Sequence, residues 1–428
     1  MPSSDTGTVH IIGAGLAGLA AAVRLTGQGR RVVVHEATGQ PGGRCRSYYD
    51  HVTGMVIDNG SHLLLSGNHA ARAYLKAIGA EHLLEGPSSA EFDFIDLPTL
   101  KRWTVRFNDG QIPWWIFDKN RRVPDTKARD YLGLMRLMFM SGDKPLSELV
   151  RCEGPLYERL LEPLFLAALN IEPLHGSGKL AGQIVRETLA LGGQACRPLI
   201  APGGIGDAFI APALRTLREQ GVEVALQHPL HKLELEDDRV RALDFGEETI
   251  TLDEGDRVVL AVPAFIATAM VPGLSAPTAF RSIVNAHFRI DPPAGAPRMI
   301  GVVNGTTEWI FALPGRVAVT VSDAGELVDA PRTDVAQTIW NEVAKVLGLP
   351  DTLPPWQIVR ERRATFAATP EENAKRPGAR TKWTNLVLAG DWTATGLPAT
   401  LEGAVRSGNR AAEILMNPVM KATTRNSV

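Results

Sequence analysis

The chain has 428 residues, of which 44% are hydrophobic and 21% are charged, and these proportions exclude a disordered or fibrous protein. Its 45 Lys and Arg residues against 47 Asp and Glu leave a net charge of −2, without the basic excess of a nucleic-acid-binding protein. The three cysteines, Cys45, Cys152 and Cys196, form no Cys-x-x-Cys pair, so neither a metal site nor a disulfide framework is expected, which fits a reducing compartment.

The first predicted element is a short β-strand at residues 9–12, a β-branched apolar run. It leads into the turn Gly13-Ala14-Gly15-Leu16-Ala17-Gly18, and apolar residues at helical spacing follow. A second strand at 31–35 ends at Glu36. This strand–turn–helix–strand unit, with an acidic residue at its end, is typical of dinucleotide-binding domains.

Each residue of this unit has a physical reason to be there. Gly13 permits the tight turn, Gly15 lets the backbone approach a pyrophosphate, and Gly18 lets the helix pack closely on the strand. The helix N-terminus offers N–H groups and partial positive charge to phosphates. Glu36, followed by Ala37, stands where a carboxylate can hold a ribose 2′-hydroxyl. A glycine-rich turn alone can be purely structural, but the complete unit favours a nucleotide. We predict cofactor contacts at Gly13, Ala14, Gly15, Leu16, Ala17, Glu36 and Ala37.

A glycine pair followed by an arginine, Gly42-Gly43-Arg44, comes shortly after Glu36. Two glycines expose backbone N–H groups in a concave nest, and an arginine can neutralise phosphate charge. The other interpretation is an ordinary loop with a solvated arginine. The run resembles the signature of the superfamily of flavoproteins that contains amine oxidases, protoporphyrinogen oxidases and phytoene desaturases. The resemblance implies FAD as cofactor, with Gly42, Gly43 and Arg44 along its diphosphate.

The middle of the chain resembles the return of that superfamily's chain to the FAD domain. The run 201–204 precedes a helical segment to about residue 218, and strands are predicted at 221–224, 230–233 and 256–263. The resemblance implies that the backbone near Leu230 meets the adenine and that Val262 contacts the cofactor.

The longest uncharged stretch, 258–280, is long enough to cross a bilayer. Three prolines interrupt it, so we predict a buried strand, a short helix and a loop instead. The N-terminal apolar run has no positively charged region before it and is not predicted to be a signal peptide.

Near the C-terminus a strand at 385–389 ends in Gly390-Asp391, and a helix is predicted from Leu401 to about Met416. In the superfamily this Gly-Asp pair binds the ribitol chain, and the next helix points its N-terminus at the flavin. A helix N-terminus stabilises the negative charge that reduction places there. The resemblance therefore implies cofactor contacts at Gly390, Asp391, Thr400, Leu401 and Ala404.

These segments predict an α/β fold with a Rossmann-like FAD-binding domain of the glutathione-reductase-2 type. The FAD-binding domain is expected to be discontinuous, and the two insertions are expected to form a substrate domain of mixed sheet and helices. The FAD-binding domain comprises 1–70, 195–265 and 382–428, and the substrate domain 71–194 and 266–381.

An aromatic cluster in the first insertion, Ile112-Pro113-Trp114-Trp115-Ile116-Phe117, is followed by Lys119, Arg121 and Arg122. Apolar helices are predicted at 131–140 and 160–169. Tryptophans beside basic residues suit a membrane interface. Core packing with a solvated basic turn explains the pattern equally well, and both interpretations stay open at this point.

Three strings narrow the resemblance: residues 58–65, 114–118 and 390–400. They resemble the bacterial hydroxysqualene dehydroxylases, the squalene-associated FAD-dependent desaturases of hopanoid biosynthesis. The resemblance implies reductive dehydroxylation of hydroxysqualene to squalene by reduced FAD, with Asn59, Gly60, Ser61 and His62 near the flavin. Ser61 stands where the family usually has glutamine. Thr400 stands where amine oxidases have a tyrosine of their aromatic cage, so an amine substrate is not expected.

A hydride from flavin N5 would replace an allylic hydroxyl after ionisation assisted by an acid. This chemistry needs an apolar tunnel for about thirty carbons and one proton donor. The candidate donors are His62 and, more weakly, His287, although a histidine among apolar residues can also be purely structural. The run 203–206 lacks the spacing of a second nucleotide-binding turn. The flavin is therefore expected to be reduced by transient docking of NAD(P)H or by a separate electron donor.

The expected partners are a long-chain isoprenoid and an upstream enzyme of the hopanoid pathway, and no nucleic acid. We expect a cytoplasmic protein that is peripheral at the inner face of the membrane. Two alternatives remain: a carotenoid- or phytoene-type FAD desaturase, and a non-catalytic isoprenoid escort. Retention of Glu36, Arg44 and Asp391 speaks against the escort, which needs none of them.

Overall fold

A computed structural model describes residues 7–139 and 142–417. Its strands in chain order are β1 (Val9–Ile12), β2 (Val32–His35), β3 (Ser47–Asp50), β4 (Met55–Asp58), β5 (Leu64–Leu65), β6 (Glu91–Asp96), β7 (Lys101–Arg106), β8 (Pro198–Leu199), β9 (Glu223–Ala225), β10 (Lys232–Glu236), β11 (Arg239–Asp244), β12 (Thr249–Thr251), β13 (Arg257–Leu260), β14 (Phe280–Phe288), β15 (Met299–Val303), β16 (Trp309–Leu313), β17 (Arg316–Val321), β18 (Trp356–Phe366) and β19 (Leu386–Leu388).

The α-helices are α1 (Leu16–Thr26), α2 (His69–Ala77), α3 (Leu132–Phe139), α4 (Glu162–Leu169), α5 (Gly178–Glu187), α6 (Gly193–Cys196), α7 (Ile205–Phe209), α8 (Ala211–Glu219), α9 (Ala264–Met270), α10 (Arg332–Leu347), α11 (Pro370–Ala374) and α12 (Leu401–Met416). Short 3-10 turns include Gly43–Cys45, Trp114–Phe117 and Ala128–Tyr131, and one π-helical turn covers Tyr157–Leu161. Within these described residues, no helix combines the length and apolar character needed to cross a membrane.

The cofactor domain is built on a parallel sheet of order β19-β13-β1-β2-β9. All four residues of β1 are buried, as expected for a central strand covered on both faces. Helices α1 and α12 pack against each other so closely that a Cβ on Gly408 would lie 2.2 Å from the backbone oxygen of Ala17. These features confirm the predicted Rossmann-like α/β fold.

The second domain is built on a seven-stranded mixed sheet of order β18-β14-β17-β16-β15-β6-β7. Side chains alternate across it, as strand geometry requires. In β14, Val284, Ala286 and Phe288 pack in one apolar cluster with Trp340 of α10. The opposite face, which includes His287, is turned toward the cofactor domain, because the His287 ring reaches the backbone of Asp58.

The position of α2 bears on the domain division. Its buried residues Ala71, Tyr74 and Leu75 belong to the apolar cluster of the cofactor domain, and Tyr74 donates a hydrogen bond to the backbone oxygen of Phe209. The division predicted after residue 70 falls inside this helix. We therefore propose that the first cofactor-domain segment continues to about the end of the turn Glu81–Leu83.

Candidate functional site

Two glycine turns lie side by side at the carboxyl end of β1. The amide of Gly42 donates to the backbone oxygen of Ala14 at 2.9 Å, and Gly15 and Gly42 form a bridge between the turns. Gly13 and Gly43 adopt φ values of +107° and +55°, which favour glycine. A Cβ added to Gly15 would meet no described atom within 4 Å, so the space above that residue is open. The two turns thus form a cradle of backbone amides.

The remaining predicted residues of this unit have distinct roles. Gly18 allows the close packing foreseen for it, since a Cβ there would lie 2.0 Å from the Gly13 oxygen. Leu16 and Ala17 are buried in the first turn of α1. The Glu36 carboxylate accepts a hydrogen bond from the Ala14 amide at 2.9 Å, and it also accepts hydrogen bonds from Thr38. Ala37 is exposed at the rim.

Arg44 and Asp391 meet, although 347 residues separate them. One guanidinium nitrogen of Arg44 lies 2.6 Å from a carboxylate oxygen of Asp391, and the other donates to the backbone oxygen of Ala364. The Asp391 side chain is only 8% exposed, whereas that of Arg44 is 40% exposed. Arg44 is therefore an anchored cation that still faces solvent.

The conformation and close packing of the turn at Gly390 require a glycine. Its φ is +144°, and a Cβ there would lie 2.4 Å from the indole nitrogen of Trp392. That indole donates to the backbone oxygen of Val262 at 2.9 Å, so the carbonyl of this predicted cofactor-contact residue is already bonded within the protein. The Gly390 amide donates to the Ser407 hydroxyl. The turn is thus held between β13 and α12.

The N-terminus of α12 is capped by Thr400, whose hydroxyl accepts from the Gly403 amide at 3.1 Å. The first turn includes Leu401 and Ala404, as predicted. Its Glu402 carboxylate is 2% exposed and accepts from the amides of Ala70 and Ala71 at the start of α2. The Thr400 side chain therefore serves the helix.

The run Asn59–His62 lies against the substrate-domain sheet. The Asn285 side chain accepts from the Ser61 amide and donates to the Asn59 oxygen, both at 3.3 Å, and it also accepts from the Thr320 hydroxyl at 2.9 Å. The Asn59 amide group donates to Glu361. The Gly60 oxygen accepts from the His62 ring at 2.6 Å. All four predicted residues are therefore positioned where the domains meet.

A small cleft, partly open to solvent, lies beside this run. It is lined by Asp58, Ser61, His62, Ile200, Ala201, Ile205, Phe311 and Leu313. Because a carbonyl oxygen only accepts, the proton of the neutral His62 ring is on Nδ1, and Nε2 remains as the nitrogen that can gain or deliver a proton. Burial lowers the pKa of His62, the Asp58 charge opposes this, and the Arg44 charge lowers it further. His62 is thus mainly neutral at pH 7.

His287 occupies a different environment. It is 1% exposed, and its Nε2 donates to the Asp58 backbone oxygen at 3.0 Å. Its Nδ1 is buried without a hydrogen-bond partner among the described residues. Burial lowers the pKa of His287 to about 4. His287 is not among the residues that line the cleft. Of the two predicted donors, the geometry favours His62.

Leu230 is buried just before β10. The segment that precedes it lies beside Glu36 in space, although the two are distant in sequence. The amides of Gln227 and His228 donate to the backbone oxygens of Thr38 and Glu36. The chain near Leu230 is therefore brought to the end of the cradle where a ribose would lie.

Two residues that hold the site were not identified from the sequence. Buried Arg376 donates to the backbone oxygens of Asp391, Trp392 and Thr393, and it stacks over Phe366. Asn285 holds the run 59–61, as described above. Arg376 lies outside any recognisable motif, so only its three-dimensional contacts reveal its role. The alternation of polar residues in β14 is a weak signal for Asn285.

These observations fit FAD. The open space above Gly15 and the amides of both turns suit a diphosphate, and Glu36 suits a ribose. The Gly390-Asp391 turn comes directly after β19, which pairs in parallel with β13, and it leads to the N-terminus of α12. Ligands of parallel sheets bind at the carboxyl ends of the strands, which is where this turn lies. Within the described ranges, no group of three or more His, Cys, Asp or Glu side chains is placed to hold a metal ion.

Comparisons with known proteins show the family and the fold of this chain. The sequence model of the family "Flavin containing amine oxidoreductase" matches residues 16–416. Hydroxysqualene dehydroxylase of Rhodopseudomonas palustris is 57% identical over 410 residues, covering 96% of this chain and 98% of that protein. The protein of the same name from Sinorhizobium fredii is 53% identical, with coverage of 96% and 98%. Cyclohexylamine oxidase from Brevibacterium oxydans has a similar structure, with a TM-score of 0.71, 16% identity and coverage of 97% and 100%.

Proposed function

Since the chain belongs to the flavin-containing amine oxidoreductase family and, within it, to the hydroxysqualene dehydroxylases, we propose that it reduces hydroxysqualene to squalene. The overall change converts an allylic alcohol and reduced FAD into the alkene, water and oxidised FAD. When bound and reduced, the flavin supplies a hydride equivalent from N5. We place this reaction in hopanoid formation, after the enzyme that makes hydroxysqualene.

The observation that carries the proposal is the position of His62 in a cleft with largely apolar walls. Ile200, Ile205, Phe311 and Leu313 line the cleft, and these apolar side chains favour a hydrocarbon chain over a polar substrate. The protonated His62 ring delivers its Nε2 proton to the leaving hydroxyl, while the Gly60 oxygen holds the ring through Nδ1. Departure of water leaves the allylic carbon ready to accept the hydride.

Other residues position the reactants. Arg44 and the cradle would hold the phosphate oxygens of FAD, and Glu36 would hold its ribose. The N-terminus of α12 would hold the flavin, and its partial positive charge would favour the negative charge of the reduced ring. An amine substrate is not favoured, because Thr400 caps α12 and supplies no aromatic face for a cation.

The substrate is larger than the cleft beside His62, so most of its chain must lie elsewhere. One buried apolar cluster, which extends through both domains, includes Phe311 and Leu313 of the cleft wall together with Leu137 of α3 and Leu180 of α5. We propose that the chain threads between these helices and the sheet. A substrate that partitions into lipid also requires contact with a membrane surface, and we propose a peripheral location at the inner face.

The test is anaerobic turnover with hydroxysqualene. The purified holoprotein is reduced with dithionite or NADPH and incubated with the substrate in detergent, and the lipids are then analysed. We expect squalene to appear as the flavin returns to its oxidised spectrum. Two outcomes would contradict the proposal: reduced flavin that persists beside unchanged hydroxysqualene, or new double bonds in squalene or phytoene under oxidising conditions without dehydroxylation. The second outcome would identify a desaturase.

A further inference from the structure

The first insertion carries a cluster of exposed apolar side chains outside the site described above. We call this surface the apolar patch. Each member is at least half exposed: Ile112, Trp114, Phe117, Leu132, Met135 and Phe139. Large apolar side chains that are grouped on a surface mark a site of interaction, whereas single ones need no explanation.

The local structure accounts for the patch. In the 3-10 turn Trp114–Phe117, Trp115 and Ile116 are buried, while the outer rings of Trp114 and Phe117 lie 6.2 Å apart. The buried Trp115 ring packs on Tyr131 at 5.1 Å, and α3 begins directly after Tyr131. Leu132, Met135 and Phe139 recur at helical spacing on α3, and Leu137 faces the core. The patch is therefore formed by two neighbouring segments that share a core.

The charge around the patch is positive, although the whole chain is slightly negative. Residues 111–139 contain six Lys or Arg and three Asp, a net charge of +3 against −2 for the chain. The three aspartates each lie within 4.0 Å of an arginine: Asp118 with Arg121, Asp125 with Arg159, and Asp130 with Arg129. These three aspartates are thus each close to an arginine, while Asp109, just before this segment, is exposed.

We propose that the apolar patch docks on an anionic lipid surface. Aromatic side chains beside Lys and Arg suit the interface of such a membrane, where the rings enter the headgroup region and the cations meet lipid phosphates. A second copy of this chain is a poorer occupant, because its docking would bring two segments of charge +3 together. Helix α3 has eight residues, which is too short to span a bilayer.

The patch also joins the route of the substrate, a step that rests on the proposed function. Its supporting residues Trp115, Tyr131 and Leu137 belong to the same buried apolar cluster as Phe311 and Leu313 in the wall of the cleft. On this route a hydrocarbon chain leaves the lipid at the patch and enters the protein on its apolar side. Docking at this surface would thereby spare the substrate passage through bulk water.

The experiment measures sedimentation of the FAD-bound protein with vesicles. One set of vesicles is phosphatidylcholine alone, and the other is an equal mixture of phosphatidylcholine and phosphatidylglycerol. The test variant carries Trp114→Ser, Phe117→Ser and Phe139→Ser. The matched control carries Val52→Ser and Leu100→Ser, which remove exposed apolar side chains elsewhere. Because all these side chains are exposed, the flavin spectrum and melting temperature should stay at wild-type values, which confirms folding.

We expect the wild type and the control to bind the anionic vesicles and the test variant to bind them at least about tenfold more weakly. Binding should also weaken when NaCl is raised from about 0.1 to 0.5 M. Equal binding of the test variant and wild type, or no binding by the wild type, would overturn the proposal. The proposal would also be overturned if the wild type did not bind vesicles but formed a dimer that the test substitutions dissociate.

Turnover separates this proposal from the proposed function. In detergent, the test variant should convert hydroxysqualene at the wild-type rate, whereas with substrate in anionic vesicles its rate should fall at least about tenfold. Equal rates of the test variant and wild type on vesicle substrate would refute the delivery route. Vesicle binding itself needs no turnover, so a holoprotein that binds vesicles but never forms squalene would refute the function and leave the docking surface standing.

Discussion

Gly15 differs from the neighbouring glycines in the space around it. Its backbone is extended, with φ −73° and ψ 175°, a conformation that any residue adopts, and a Cβ would enter open space. At Gly18, by contrast, a Cβ would strike the backbone of Gly13. Gly15 is therefore needed for the ligand, while Gly18 is needed for the fold.

We expect Gly15→Val to leave the stability of the FAD-free protein within about 1 kcal/mol of wild type while weakening FAD binding at least about tenfold, because the side chain occupies the space of the diphosphate. Urea unfolding of the FAD-free protein and flavin titration measure the two quantities. Gly325→Val is the matched control, since Gly325 is an exposed glycine with open space around it. Unchanged FAD affinity in Gly15→Val would show that the cradle does not hold the diphosphate.

The proposed role of His62 as proton donor predicts how the rate of dehydroxylation depends on pH. Only the protonated ring has a proton on Nε2, and burial lowers its pKa below the usual 6.5. The rate of dehydroxylation should therefore be highest at acidic pH and decline as the pH rises through the pKa of His62. The measurement is the single-turnover rate of flavin reoxidation between pH 5 and 8.

We expect His62→Gln to lose the pH dependence and about 100-fold in rate, because an amide can still donate to the Gly60 oxygen but cannot deliver a proton. His51→Gln, which alters an exposed histidine, should behave as wild type. If His62→Gln kept both the rate and the pH profile, another group would be the proton donor.

At the scale of secondary-structure elements, three histidines connect β1, β2 and the loop after β9. The His10 and His35 rings are joined at 3.1 Å, and the His35 and His228 rings at 3.0 Å. Asp256 and Arg31 lie near His10, and Glu248 lies 2.9 Å from His228. Burial, followed by the charges of His10 and His228, lowers the pKa of His35 to about 3.

This chain of rings should make the protein sensitive to acid. The unfolded chain takes up a proton on His35 near pH 6.5, whereas the folded protein does so only near pH 3. Between these values the unfolded state binds more protons, so the free energy of unfolding falls with decreasing pH, by up to about 1.4 kcal/mol per pH unit from this group. Above pH 6.5, His35 is neutral in both states and no longer makes the free energy of unfolding depend on pH.

His35→Gln should reduce that slope, and urea unfolding at pH 4.5, 5.5 and 7.5 measures it. His231→Gln, on an exposed histidine of the same region, is the control. A variant whose stability declines with acid as steeply as that of wild type would assign the sensitivity to other groups, of which buried His287 is the first candidate.

At the scale of the whole molecule, the two domains are joined by polar contacts that cross long stretches of sequence. Arg316 of β17 lies 3.5 Å from the Asp58 carboxylate, and both side chains are less than a tenth exposed. The guanidinium also donates to the backbone oxygens of Val56 and Pro202, and the Asp58 carboxylate accepts from the Ser47 hydroxyl. Asp58 in turn borders the cleft, so stability and site geometry are coupled here.

Removing one partner of a buried pair leaves the other charge without compensation. Arg316→Met should therefore lower the free energy of unfolding by about 3 kcal/mol. The exposed pair Arg298 and Glu85, at 3.8 Å, provides the control: Arg298→Met should cost less than about 1 kcal/mol. Denaturant unfolding, monitored by flavin and by tryptophan fluorescence, measures the free energy of unfolding of both variants. A loss in Arg316→Met no larger than that in Arg298→Met would show that this pair does not join the domains.

Much of the cofactor domain follows from local sequence. Val9–Ile12 and Leu401–Met416 have the bounds that their apolar patterns predict, and the predicted glycine turns join strands to helices. These features depend on the conformations of a few consecutive residues, and consecutive residues are what a sequence displays. The FAD signature belongs to this class, and so does the family that the comparisons confirm.

Only the tertiary structure decided which distant side chains meet. Arg44 with Asp391, Asn285 with Ser61, and Arg376 with the turn after Gly390 depend on how two sheets and several loops are placed against each other. Trp114 and Trp115 show the same limit within one turn, since the sequence pattern is alike for both, yet one ring is exposed and the other is buried against Tyr131. Burial is a property of the packed chain, because it depends on which surfaces of the other elements reach a given side chain.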